Sequence, residues 1–385
     1  MNANLYSLMS LVGLKLASIA VPLYSMLYLF LRGDIEKLGY YSSITAILAP
    51  VAMFSSFRYI EHISSSADKE KAFIESIASS IIIFFICGLF ALIIFVKKSY
   101  THLIFWPWVI FFFKLLELGN DILIAQLASS NKIRKCFIIS TFKFLMVVGF
   151  SLLFILFDLE PLIGLSVALF CGYAFGFVIF DFPMLINLKI HEKFDLNSIV
   201  KYIRSNVRFG VLNLLISLNS VVPRYFFIWT GDFRNLGMFT FLYQLSATGT
   251  NIVQYVFSIK SLALARFLQN HAAIFKYFLI FLIGLSAVIF SSTFCGLDSS
   301  FLPKPHIFVP IMTAAMLVRG LYITVRVIEG SFPLNRIQLI AIFFSTGLAL
   351  VLFFLSPRYL YIPYFYVVLS SLITTSLVAR RSKRL

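Results

Sequence analysis

Charge is what this sequence has least of. Asp, Glu, Lys and Arg together make up 12% of its 385 residues, about half the share of a soluble domain. That supply cannot cover a water-soluble surface. Acidic side chains are the scarcer half, 16 against 32 Lys and Arg, which leaves a formal net charge of +16. The four cysteines (Cys87, Cys136, Cys171 and Cys295) never form a Cys-x-x-Cys pair. No disulfide framework and no metal signature is expected from them. The five histidines (His62, His102, His191, His271 and His306) are dispersed in loops or at span edges, so no nucleophile–base pairing is expected and no catalytic residue is named. The phosphate-cradling pattern GxxxxGK[ST] is missing. No polar stretch is long enough for a soluble catalytic or nucleotide-binding domain.

What is abundant is hydrocarbon. The chain is 60% hydrophobic, contains 45 phenylalanines and has a mean hydropathy of +0.95. Apolar runs of about 20 residues, the length of a bilayer-crossing helix, recur throughout. They predict an all-α polytopic membrane protein of about twelve spans. The spans fall near 5–31, 38–57, 73–96, 103–127, 137–156, 161–186, 207–229, 236–258, 273–297, 305–325, 337–355 and 359–379. The first reads as an uncleaved span, because no basic residue precedes Lys15 and the apolar run is too long for a signal peptide. The longest connection, 187–206, falls midway. It divides the chain into six-helix bundles at 1–195 and 196–385, expected to surround a central cavity.

Basic residues orient the spans. With the amino terminus inside, the inner loops and the tail "ARRSKRL" hold twenty Lys and Arg, against seven outside. Both termini are therefore expected in the cytoplasm. This loop bias explains most of the net charge, so no nucleic-acid partner is inferred from it.

Two heptapeptides share one frame: "GDIEKLG" at 33–39 and "GDFRNLG" at 231–237. Each joins the first and second span of a half, and each follows a Val-Pro-x-Tyr segment, "VPLY" at 21–24 and "VPRY" at 222–225. Gly and Asp suit a turn that ends one helix and starts the next. Recurrence at half-chain spacing predicts a parallel duplication about an axis normal to the membrane.

Five basic residues fall inside spans: Lys15, Lys114, Lys143, Arg224 and Arg319. Such charges are costly in hydrocarbon and usually face a bundle interior or a water-filled path. In the seventh span, Asn213, Ser217, Ser220 and Arg224 are spaced 4, 3 and 4, on one helical face. Arg224 either meets an anionic head group in a cavity, as a bidentate phosphate donor, or snorkels to the outer interface. Arg319 and Lys15 are the other cavity candidates. Gln244, Thr248 and Asn251 of the eighth span either bind sugar hydroxyls or join helices. In the fourth span, Lys114, Glu117 and Asp121 share a face. Lys114 and Glu117 could neutralise each other, leaving Asp121 to bind a coupling H⁺ or Na⁺, with no other cofactor expected. Lys143 is expected to snorkel to the cytoplasmic end of its span, and Asp181 to sit similarly at the end of the sixth.

The stretch "NSVVPRYFFIWTGDFRNLGMFTFLYQLSATG" (219–249), with "LGYYSSI" (38–44) at the matching place in the first half, resembles the multidrug/oligosaccharidyl-lipid/polysaccharide exporter superfamily. Within it the chain is similar to bacterial O-antigen (polysaccharide repeat-unit) flippases. These carry a Pro-Arg-Tyr-like segment, a short turn, then Leu-Gly and an aromatic-rich helix. The resemblance implies flipping of a polyprenyl-diphosphate-linked oligosaccharide across a bacterial inner membrane by alternating access, as a step of lipopolysaccharide biosynthesis. It implies membrane lipids, a polysaccharide polymerase and a chain-length regulator as partners. A cation-coupled multidrug exporter is the alternative within the superfamily. A membrane glycan polymerase or ligase is a third reading, disfavoured by the short outer loops.

Overall fold

The computed structural model describes residues 20–57, 59, 62, 63, 66–99, 105–130, 132–187, 195–259, 311–316, 334–355 and 362–381. The ninth predicted span, most of the tenth, Lys15 and Arg319 lie outside them. Two compact units emerge, Met1–Ser217 and Leu218–Leu385. The described elements are helical. In the first unit they are α1 (Ala20–Leu31), α2 (Ile35–Ser55), α3 (Lys69–Ser99), α4 (Phe105–Ser129), α5 (Ile133–Leu156) and α6 (Pro161–Gly176). α6 runs on through a π-helical turn, Phe177–Asp181, into Phe182–Asn187. α7 (Leu196–Thr230) passes from the first unit into the second. The second unit adds α8 (Phe233–Ile259), a helical stretch at 311–316, α9 (Leu334–Leu355) and α10 (Ile362–Arg381).

Four described helices are long and apolar enough to cross a membrane: α2, α3, α5 and α6. α4 is as long, but Lys114, Glu117 and Asp121 interrupt its apolar character. Polarity is distributed as lipid solvent requires. α3 turns Phe85, Ile86, Phe90, Ile93 and Ile94 outward and buries Ser76, Ser79 and Ser80. Several buried hydroxyls elsewhere bond back within their own helix. Ser151 donates to the Val147 carbonyl, Ser166 to Leu162, Thr374 to Ser370 and Thr375 to Ser371. Aromatic rings join neighbouring helices. Phe84 stacks on Phe111 between α3 and α4, and Phe113 meets Tyr173 edge-on between α4 and α6. In the second unit Phe239 of α8 meets Tyr364 of α10, and the Thr313 hydroxyl donates to Ser246.

The two Gly-Asp turns have the same geometry. Gly33 and Gly231 have φ of +75° and +71°, the left-handed region that glycine enters without steric cost. Each amide bonds the carbonyl three residues back, Phe30 and Ile228, and the next amide, of Asp34 or Asp232, bonds five back, to Leu29 and Phe227. These paired bonds are a Schellman closure. The aspartate then begins the next helix. Leu38 accordingly donates to the Asp34 carbonyl, and Leu236 to that of Asp232. Burial follows the same register: Leu29 and Phe227, Leu38 and Leu236, Tyr41 and Phe239 are all core residues. The Val-Pro-x-Tyr segments do not keep this register. Pro22 lies eleven residues before its glycine and Pro223 eight before its own, so the repeat is carried by the turn and the buried positions around it.

The connection predicted over 187–206 is shorter than expected, because α7 begins at Leu196. Asp195 caps it, accepting from the Asn197 and Ser198 amides and the Ser198 hydroxyl. A polar composition concealed an ordinary amphipathic helix start.

Candidate functional site

The first unit holds an intramembrane cluster of ionisable side chains on α4, α5 and α6. Its centre is Lys143, expected to snorkel and instead 1% exposed. Its ammonium donates to Asn120 Oδ1 at 2.7 Å and to Asp181 Oδ2 at 2.6 Å, and lies 5.6 Å from the centre of the Tyr173 ring. Asp181 is 3% exposed. Two glycines bring the helices close enough for this. A Cβ at Gly172 would lie 2.6 Å from Val147 Cγ2, and one at Gly176 2.5 Å from Lys143 Cγ. Gly172 and Gly176 form a small-xxx-small pair, the sequence signal for close helix packing in membranes. Val147 and Lys143 are the matching pair, four apart, on α5. The lysine stem therefore lies across Gly176 and reaches Asp181 beyond it. Asp181 ends the π turn, a helix irregularity that concentrates at functional positions.

One turn further along α4, Lys114 forms an ion pair with Glu117, both about a fifth exposed. Asp121 is exposed. It is close enough to bias both Lys114 and Lys143 electrostatically. The fourth-span triad is thus two things: a neutralised pair, and a carboxylate beside a second, buried pair.

In the second unit, Arg224 is 9% exposed and its guanidinium lies 5.7 Å from the centre of the Tyr243 ring. Arg224 and Tyr243 come from α7 and α8, the helices joined by the Gly231 turn. Met26 occupies the matching register of the first half, seven residues before its glycine, and is 5% exposed. Gln244, next to Tyr243, is half-buried, and Thr248 is buried. The remaining stripe residues divide between the units. The Asn213 amide donates to the Phe57 carbonyl at 2.6 Å, where Phe57 has a positive φ of 45°. Asn213 therefore holds a backbone turn of the first unit. The Ser217 hydroxyl is turned onto the Leu214 carbonyl of its own helix. Ser220 is half-buried in the second unit. The Asn251, Lys15 and Arg319 side chains lie outside the described residues. No group of three or more metal-ligating side chains occurs among the described residues.

No protein-family model matches the sequence, and no curated protein matches it. Solved structures do match in fold. An inward-facing multidrug resistance MATE family transporter of the MOP superfamily aligns over 97% of both chains, with a TM-score of 0.63 and 10% identity. A MOP superfamily transporter from Pyrococcus furiosus, described by the reverse polarity of its binding pocket, aligns over 98% of this chain and 94% of its own, at 0.53 and 12%. An outward-facing MATE family transporter aligns over the same shares, at 0.50 and 13%. The end-to-end alignment and the all-helical architecture together give the chain the fold of the MATE-type transporters of the MOP superfamily.

Proposed function

We propose that this chain is an alternating-access membrane transporter whose cargo is anionic: a polyprenyl-diphosphate-linked oligosaccharide moved from the cytoplasmic to the outer leaflet of a bacterial inner membrane. The observation that carries the reading is Arg224. It is permanently charged, buried, and set over an aromatic ring where the matching register of the first half holds Met26. The fold itself is satisfied by a methionine at that register, so the arginine serves something other than packing. Lys114 and Lys143 are neutralised by acids of their own bundle. We assign the anionic group of the cargo to Arg224, with Lys15 and Arg319 in the same role. A diphosphate is the anion that fits bidentate guanidinium donors and cannot cross hydrocarbon unshielded. Gln244, Ser220 and Asn251 would take sugar hydroxyls. Asp121, beside the Lys143–Asp181 pair, would couple transport to H⁺ or Na⁺. A polymerase and a chain-length regulator would act on the flipped unit.

A cation-coupled multidrug exporter is the second reading, favoured by the multidrug description of the first structural match. The description of the Pyrococcus structure supports a change of pocket polarity on this fold. The test is deletion of the gene followed by analysis of lipid-linked glycan. Accumulation of complete single units at the cytoplasmic face, restored to normal by the wild type and not by Arg224→Ala, is the expected result. Unchanged glycan export, with increased susceptibility to cationic drugs, would overturn it.

A further inference from the structure

The first unit ends within α7, at Ser217. Towards the amino-terminal end of this helix Lys201, Arg204 and Arg208 are exposed.

This end has three faces. One docks on the first unit. Ile199 and Tyr202 are 2% and 5% exposed. Tyr202 packs against the His62 ring at 4.5 Å between centroids and edge-on against Phe57. At Gly210 the helix is so close to the last turn of α2 that a Cβ would lie 2.7 Å from the Phe54 carbonyl. The second face is apolar and uncovered: Leu196, Val200, Val207 and Val211 are 62%, 61%, 42% and 45% exposed. At about 100° per residue these four fall within about 60° of the helix circumference. The third face is basic. Arg204, Arg208 and Lys201 occupy the next roughly 60°, directly beside the apolar stripe.

The surroundings carry the same sign. Lys69 donates to the Ser129 carbonyl, which brings the α4–α5 turn to this end, with Lys132, Arg134 and Lys135 exposed on it. Asp195 is engaged as the helix cap and lies near Lys71.

We infer that the first turns of α7 form an interfacial anchor that binds anionic phospholipid head groups of the leaflet on the side of the basic loops. An apolar stripe bordered by a basic one is the geometry of a helix lying at the boundary of acyl chains and head groups. The apolar face enters the acyl boundary and the basic face reaches phosphate. Each basic residue near an anionic leaflet contributes about a fivefold gain in binding. The docked face, through Ile199 and Tyr202, ties this contact to the rest of the first unit.

The test uses the full chain in lipid nanodiscs, with hydrogen–deuterium exchange read on the peptide 196–211. Discs of neutral phosphatidylcholine are compared with discs containing about one-third phosphatidylglycerol. Exchange about fivefold slower or more in the anionic discs is expected. The difference should disappear at about 0.5 M NaCl. It should also disappear in the Lys201→Gln/Arg204→Gln/Arg208→Gln variant, or fall by part in Arg204→Gln if the triple variant does not fold. Equal exchange in both discs overturns the inference. So does protection by a trace of polyprenyl diphosphate in neutral discs when phosphatidylglycerol gives none. That outcome would make the face a substrate contact and leave the transport reading standing.

Discussion

Lys143 shows how much a single side chain can hide from its sequence. Near a span end and long enough to snorkel, it reads as interfacial. Its position is decided by glycines thirty residues on, which bring α6 against α5 and leave the ammonium no route except inward, to Asn120 and Asp181. The Gly172–Gly176 spacing was the available signal. Removing one member of a buried pair leaves the other charged in a poor solvent. Lys143→Met or Asp181→Asn should therefore cost about 3–5 kcal/mol, and the double variant Lys143→Met/Asp181→Leu should regain most of it. A double-mutant cycle by denaturant unfolding in detergent measures this. Additive losses would mean that the pair is not coupled. At Gly33 and Gly231 the sequence was read correctly as a turn, and φ supplies the reason. Nothing lies within 4 Å of a Cβ at either position, so the cost of Gly→Ala is purely conformational. Each change should lower stability by about 1–2 kcal/mol, visible in thermal unfolding. Gly231→Asn should lose less than Gly231→Ala.

At the scale of the element, the centres of the described helices were legible because about 20 apolar residues in a row leave few alternatives to a helix. Span ends were not, and α7 is the clearest case. Its first turns contain Asn, Ser, Lys and Arg and read as a loop, yet Asp195 starts a helix there. The Ser198 hydroxyl and the Asn197 amide donate to that carboxylate and hold its pKa below the ordinary value. A depressed carboxylate contributes stability above its unfolded pKa, and that contribution fades as pH falls through the lowered folded value. The α7 amino terminus should accordingly stay ordered from neutral pH to about 4 and fray below that. Faster amide exchange over 196–200 on acidification would report it, and Asp195→Ala should remove the pH dependence. Unchanged exchange in the alanine variant would show that docking through Ile199 and Tyr202 alone sets the helix start.

For the whole molecule, the matched pair of turns was legible in seven residues because a turn demands particular chemistry. The structure extends it to the burial of Leu29 and Phe227, Leu38 and Leu236, Tyr41 and Phe239. The halves differ where the proposed function needs them to. The Met26 register becomes Arg224, and the buried Lys143–Asp181 pair belongs to the first unit. None of this asymmetry follows from hydropathy, which sees only apolar spans. Arg224→Met would give the second half the residue the first half uses. Stability should change by less than about 1.5 kcal/mol, as for a substitution that keeps volume. Glycan export should fall about tenfold or more, the cost of losing a charged hydrogen bond to cargo. Thermal unfolding beside the export assay separates the two effects. Retained export would remove Arg224 from the transport site.

The π turn of α6 has a consequence for chain length. Such a turn holds one residue more than the α turn it replaces. A single deletion between Phe177 and Asp181 would restore regular hydrogen bonding and shift everything beyond it by about 100° around the axis. Gly172 and Gly176 would keep their seat on α5, while Asp181 would leave Lys143. Among natural relatives, a one-residue gap at this point should therefore occur together with an uncharged residue at the position of Lys143, and chains that keep the lysine should keep the extra residue.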